Sequence, residues 1–275
     1  MAFEDIFRSL RVKDTLMTND LSATGQIVSA DLATSKMTVA GAFRRSPALY
    51  YLEEFFSQTP GLNADLANAT EATRVPRNKH FEILGTNGTS ALATFSTTRA
   101  GLLITTAGAD NDQMIVLPHL DTAQTAWANI KWGTENMTDW ETAITTHSSI
   151  ATTLIWAGLK LTNTPTIATD NDQVFFRYDT DVPDTTWQLV YSIGGTDVTF
   201  DTGVAVAAST TYRFRVKIEA DRTANCYIND TLVKTTPALT NDVDLIPYIG
   251  VQALGIVAVA LTIHYEKISR LLFEA

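Results

Sequence analysis

Residues 211–235 read TYRFRVKIEADRTANCYINDTLVKT, and their first half alternates. Tyr212, Phe214, Val216 and Ile218 fall on one side; Arg213, Arg215, Lys217 and Glu219 fall on the other. A period of two held over eight residues is a strand with one buried and one wet face. Asp221 and Arg222 make a short polar turn, and a second run follows through Tyr227. Asn229–Asp230 makes a tight reversal, because both residue types tolerate the left-handed turn conformation. Leu232 and Val233 then return. The meander predicts an antiparallel sheet and carries no chemistry of its own.

From His80 onward the chain reads as strand and turn. Strands are predicted at 81–84, 92–96, 101–106, 113–117, 126–132, 140–146 and 152–161. More follow at 173–178, 186–193, 197–200, in the 211–235 meander, and at 247–254 and 257–268. In the last, Val257, Val259, Leu261, Ile263 and Tyr265 share one face. Thr153–Leu161 is apolar on both faces, with Leu154 and Trp156 opposite Ile155 and Leu159. That pattern suits a central strand covered on both sides. A dozen or so strands at this spacing predict a mainly β fold, an antiparallel two-sheet jelly-roll sandwich over residues 79–275.

At 275 residues the chain is long enough to bury a substantial core. The net charge of −10 excludes a general nucleic-acid or membrane binder, which needs a basic surface. The N-terminal MAFEDIFRSLRV is neither a signal nor a transit peptide, and no window approaches 18 uninterrupted apolar residues. Synthesis in a cytoplasm is expected. The lone Cys226 permits no intrachain disulfide and sits in a predicted strand as a small buried apolar residue.

Residues 1–45 differ from the rest. Asn19–Thr24 aligns with Ala30–Ser35, and Leu10, Leu21 and Leu32 are in register at a period of about 11. Each unit is too short and polar to bury its own apolar residues, so the segment is expected to be an extended arm for anchoring or oligomerisation. Ser46–Pro47 reads as a helix start, with Leu49, Leu52, Phe55 and Phe56 on one helical face packed within the protein or across an assembly interface. Residues 46–78 are accordingly expected to be a helical connector. A second short helix is expected around Leu62 and Leu66.

Asp110-Asn111-Asp112-Gln113 and Asp170-Asn171-Asp172-Gln173 each precede an apolar run. Asp110, Asp112, Asp170 and Asp172 are candidate calcium ligands, since clustered carboxylates suit hard cations. The spacing of an EF-hand loop is absent, and a polar turn feeding a strand, twice, is the preferred reading of both repeats. His80, His119, His147 and His264 are scattered without metal-ligand spacing. Gly194-Gly195 reads as a hairpin turn. Trp127, Trp132 and Trp140 are close enough in sequence to share a sheet surface, as a sugar-stacking platform or as core.

The YRFRVKIE strand, the turn and CYINDTLV resemble the hairpin of concanavalin A-like (laminin-G-like, lectin/glucanase) sandwiches. In those a Y-x-N-G-x-L segment recurs; Tyr227, Asn229 and Leu232 match it, and Asp230 replaces the glycine. Glucanases of this class carry a Glu-x-Asp-x-x-Glu strand whose carboxylates flank a glycosidic bond. No such triplet occurs, and Glu135, Asp139 and Glu141 are the nearest cluster. The protein is therefore expected to be non-enzymatic and to need no cofactor.

The whole chain also resembles tailed-bacteriophage virion structural proteins. The Thr/Ala/Ser/Asp-rich arm resembles attachment segments of phage fibres and decoration proteins. The connector with YYLEEFF and the VPRNKHFEILGT entry resembles structural proteins encoded by tailed phages, and AGLKLTNTP, ATDNDQVFFRYDT and VDLIPYIGVQ resemble domains displayed on their surfaces. The resemblance implies a capsid decoration, cement or head-fibre protein on the virion exterior. It further implies a homotrimer with the major capsid protein or other virion proteins as partner, and neither nucleic acid nor membrane. The alternative is a tail-fibre or receptor-binding protein that recognises host-surface glycan.

Overall fold

The structure, a computed structural model, describes residues 49–62, 78–98, 100–118 and 132–272. The arm at 1–45 with Leu10, Leu21 and Leu32 lies outside the described residues, as do Leu66, His119, Trp127 and most of the strand expected at 126–132.

Two sheets face each other. The strands in chain order are β1 (Leu49–Glu54), β2 (Pro60–Leu62), β3 (Asn78–Leu84), β4 (Ala93–Phe95), β5 (Leu102–Thr105), β6 (Gln113–Pro118) and β7 (Trp132–Gly133). Next come β8 (Asp139–Thr146), β9 (Thr153–Lys160), β10 (Gln173–Asp179), β11 (Thr186–Ile193) and β12 (Thr196–Ala205). Last are β13 (Thr211–Ile218), β14 (Thr223–Ile228), β15 (Thr231–Ala238), β16 (Asp244–Ala253) and β17 (Ala260–Leu271). One sheet runs β15-β14-β13-β8-β17-β5-β4, with β1 also paired to β17. The other runs β12-β11-β10-β9-β16-β6-β3-β2, with β7 paired to β16. The described pairs are antiparallel except β2 with β3.

The meander forms as its alternation dictates. β13 buries Tyr212, Phe214, Val216 and Ile218, and its register sets Arg215 opposite Tyr227. Asn229 and Asp230 both take positive φ, 49° and 65°, which gives the tight β14–β15 reversal. Aromatic contacts tie the two sheets together. Phe176 of β10 stacks on Phe214 of β13 at 4.7 Å between centroids, and Trp187 of β11 meets Phe214 edge-on at 4.7 Å and Tyr212 at 5.3 Å. Such pairs add about 0.5–1.5 kcal/mol each beyond their area burial.

β9 lies between β10 and β16, with both faces buried as its sequence requires. Two glycines permit close approach on this sheet, Gly250 to the Trp156 ring and Gly158 to the β10 backbone. A Cβ on Gly250 would sit 2.2 Å from Trp156 Cζ2. One on Gly158, at φ +151°, would sit 2.5 Å from the Phe175 Cα.

The expected helix over residues 46–58 is corrected, and with it the helical connector. Leu49–Glu54 is strand β1, paired with Glu266–Leu271. The helical spacing of Leu49, Leu52, Phe55 and Phe56 is overridden by an open edge. β17 is twelve residues long, but β5 pairs only with Ala260–Ile263. Beyond β5 the backbone groups of residues 266–271 on that side pair with β1 instead, where Tyr50, Tyr51 and Leu52 supply a segment of high strand propensity. Leu52 and Phe56 turn inward, and Phe56 meets Phe81 at 5.4 Å; Leu49 and Phe55 are exposed. The compact unit starts at Ala48, not at residue 79. Around Leu62 the chain is strand β2 rather than helix.

A second correction falls on β17. The β8–β17 register shifts between Ile263 and Tyr265. This bulge at His264 turns Tyr265 outward and sends Glu266 and Ile268 into the core. Val257 lies in the preceding turn and is exposed.

Candidate functional site

Alternation along β13 and β8 places Arg213, Arg215, Asp139 and Glu141 on the outer face of the eight-stranded sheet. The β14 hairpin adds Tyr227 and Asp230, and the β17 bulge adds Tyr265. Arg215 grips Asp139 through Nε at 2.8 Å and Nη2 at 2.5 Å. That fork holds the guanidinium pKa above its ordinary value. Arg213 pairs with Asp230 at the hairpin tip. Tyr265 donates its hydroxyl to Glu141 Oε1 at 2.5 Å. Burial and the Glu141 carboxylate push the Tyr265 phenol up.

These groups enclose a notch of about 110 Å³ lined by Glu141, Arg213, Phe214, Arg215, Tyr227 and Asp230. The Arg215 guanidinium lies 5.7 Å from the Tyr227 ring centre. Beyond Tyr265 the face continues to exposed Phe55, 6.1 Å away ring to ring, and exposed Tyr51. Lys267, paired with Glu53 at 3.0 Å, lies 4.6 Å from the Tyr265 ring. The notch therefore offers carboxylate acceptors, guanidinium donors and an aromatic face within one surface.

The outer face of the nine-stranded sheet differs. Its strip of Ile115, Leu117, Leu154, Trp156, Phe175, Val190 and Tyr248 is buried. At one end Lys160 is fully buried and pairs with Asp170 at 2.9 Å. Burial pulls the ammonium pKa down, and Asp170 holds it up. Lys160 also donates to Gln173, Gln173 donates to Ser192 at 2.7 Å, and Ser192 donates to Asp197 at 2.5 Å.

The candidate calcium ligands are not gathered. Asp112 accepts from Asn87 Nδ2 and the Ala109 amide, Asp170 from Lys160 and Thr162, and Asp172 from the Gly194 amide and Thr240. Asp110 accepts from its neighbour Asn111. Among the described residues no three His, Cys, Asp or Glu side chains group at metal-binding distance. Each tetrapeptide is instead a turn that delivers Gln113 or Gln173 to its strand. Trp132 and Trp140 are core residues rather than a platform. Cys226 is buried, and its thiol pKa is pushed up.

Sequence reasoning named Asp139 and Glu141 but placed them in a loop and at a strand start. It did not single out Tyr227, Tyr265 or Lys160 as site residues. The Arg215–Tyr227 pairing was within reach, because the turn at 219–222 sets that local register. Glu141 and Tyr265 are 124 positions apart, and no local signal joins them.

No protein-family model and no curated protein matches the sequence. Solved structures do match in fold. One is a protein of unknown function from Shewanella oneidensis MR-1, 12% identical, covering 92% of this chain and 99% of that one at TM-score 0.51. A β-1,3-glucanase from Mycobacterium marinum is 8% identical and covers 79% of this chain and 97% of that one, TM-score 0.51. A glycoside hydrolase family protein from Mycobacterium thermorestibile is 10% identical, with 79% and 99% covered and TM-score 0.51. The expectation of a non-enzymatic protein is thereby corrected: solved structures of this fold include glycoside hydrolases, and a missing Glu-x-Asp-x-x-Glu strand does not exclude an enzyme. The chain has the concanavalin A-like jelly-roll sandwich seen in those hydrolases.

Proposed function

We propose that the protein recognises carbohydrate through the outer face of its eight-stranded sheet. The observation that carries this is the notch of Glu141, Arg213, Arg215, Tyr227 and Asp230, where a tyrosine ring lies beside both hydrogen-bond acceptors and donors. A sugar needs that combination, since its ring C–H face stacks on an aromatic while its hydroxyls both donate and accept. The glucanase with the same fold gives the reading a precedent in a protein named for acting on a glycan. The test is a screen of the full chain against immobilised glycans, with reducing-end release measured in the same incubations. Retention on at least one glycan is expected, and release would add an activity to the binding. Retention on none would overturn the proposal.

The period-11 repeat in residues 1–45 favours a second reading about where such a module works. In it the chain is a virion surface protein, as a homotrimer, anchored to the major capsid protein or another virion component by its N-terminal arm. Deleting residues 1–45 and sedimenting both forms with undecorated phage heads tests it. Full-length protein in the pellet with the truncated form folded but free is the expected result. Both forms remaining in the supernatant would remove this reading.

A further inference from the structure

We infer that the notch takes one edge of a neutral pyranose with vicinal hydroxyls, rather than an acidic sugar or a phosphate; this rests on the carbohydrate-binding reading above. Three features of the notch carry it.

The first is its charge. Arg213 and Arg215 bring two guanidiniums to its lining and Glu141 and Asp230 bring two carboxylates, so the lining has no excess positive charge, and Asp139 adds a further carboxylate bonded to Arg215. The fork of Arg215 is already closed on Asp139, with two bonds of 2.8 and 2.5 Å. An anionic ligand reaching these guanidiniums would lie beside the carboxylates already bonded to them and would face Glu141 as a like charge.

The second is what remains free among the described residues. Glu141 uses Oε1 for the Tyr265 hydroxyl, leaving Oε2. Asp230 uses Oδ2 for Arg213, leaving Oδ1. Arg215 keeps Nη1 after its fork on Asp139. Two acceptors and a guanidinium donor around one opening match adjacent hydroxyls, each of which donates one hydrogen and accepts others. A phosphate accepts only.

The third is size. The volume of about 110 Å³ is well below the several hundred Å³ of a pocket that encloses a whole drug-sized ligand. It receives one edge of a ring, with Tyr227 beside it. Binding through one such contact is weak, and a polymer gains by repeating it.

The test uses the full chain in affinity electrophoresis through a soluble neutral β-glucan, through alginate as the acidic polymer and through chitosan as the cationic one, at 50 and 500 mM salt. Tyr227→Ala and Glu141→Gln are run beside the parent. Glu141→Gln keeps an acceptor for Tyr265, so it probes the free oxygen and not the fold. The expected result is retardation by the neutral polymer that salt does not change, reduced at least tenfold by Tyr227→Ala and by Glu141→Gln. Salt-sensitive retardation by alginate or chitosan alone would overturn the neutral-sugar assignment and leave carbohydrate recognition standing. Neutral-polymer binding untouched by both variants would place the sugar elsewhere and overturn the assignment of the notch. Retardation by none of the three polymers overturns the neutral-sugar assignment; retention in the glycan screen then decides whether carbohydrate recognition itself survives.

Discussion

Asp170→Asn is expected to cost about 3–5 kcal/mol of unfolding free energy, the effect of leaving a buried charge without its partner. Lys160 and Asp170 both have fully buried side chains and meet at 2.9 Å. The carboxylate also accepts from the Thr162 hydroxyl at 2.7 Å, so it ties the loop after β9 to the sheet. Asparagine preserves the shape and the Thr162 contact but removes the charge that balances the ammonium. Gln173 is then the remaining acceptor for Lys160, and a neutral amide oxygen does not compensate for desolvation. Urea unfolding of the variant at pH 7 reads the loss as a lower midpoint with unchanged slope. The paired replacement Lys160→Met with Asp170→Leu removes both charges, and its expected cost is near zero or a gain. A double variant as damaged as Asp170→Asn would show that packing, not charge, governs the site.

Stability is expected to fall as pH rises through the neutral range because of Glu266. The β17 bulge places this side chain wholly inside the sandwich, where Trp140 donates Nε1–H to Oε1 at 2.8 Å and Oε2 has no hydrogen-bond partner among the described residues. Burial pushes its pKa from 4.5 to about 8, while the Trp140 bond pulls it back. Thr142 is its register partner on β8. Across on β1, Glu54 directs its own carboxylate to the Phe56 amide. The folded state thus holds a proton that the unfolded chain releases near 4.5. Its contribution is fully present below that pH, declines through the window up to about 8, and is gone above it. Each pH unit inside the window removes up to about 1.4 kcal/mol. Glu266→Gln keeps the Trp140 acceptor without the ionisation, so its stability should be flatter in pH. At pH 9 it should exceed the parent by about 2 kcal/mol or more. Denaturation midpoints at pH 5, 7 and 9 for both proteins decide the matter. Parallel pH profiles would mean that Glu266 is not the group responsible.

Local sequence determined much of this architecture. The alternation in 211–218, the Asn229–Asp230 reversal and the doubly apolar 153–161 run stand in the structure as β13, the β14–β15 turn and the central strand β9. These features are legible because side-chain period and turn chemistry act over a few residues. Tertiary structure decided the rest. Residues 49–54 have helical spacing yet become a strand, since the unpaired edge of β17, more than 200 positions away, offers backbone partners that no local window contains. The bulge at His264 reverses the phase of β17, so one inserted residue buries Glu266 and turns Tyr265 to the outer face. The notch has the same origin. Its carboxylate on β8 and its arginines on β13 are about seventy positions apart, and only the antiparallel pairing of the two strands sets them side by side. The alternation could say that these charges face solvent, but which charges become neighbours is a property of register.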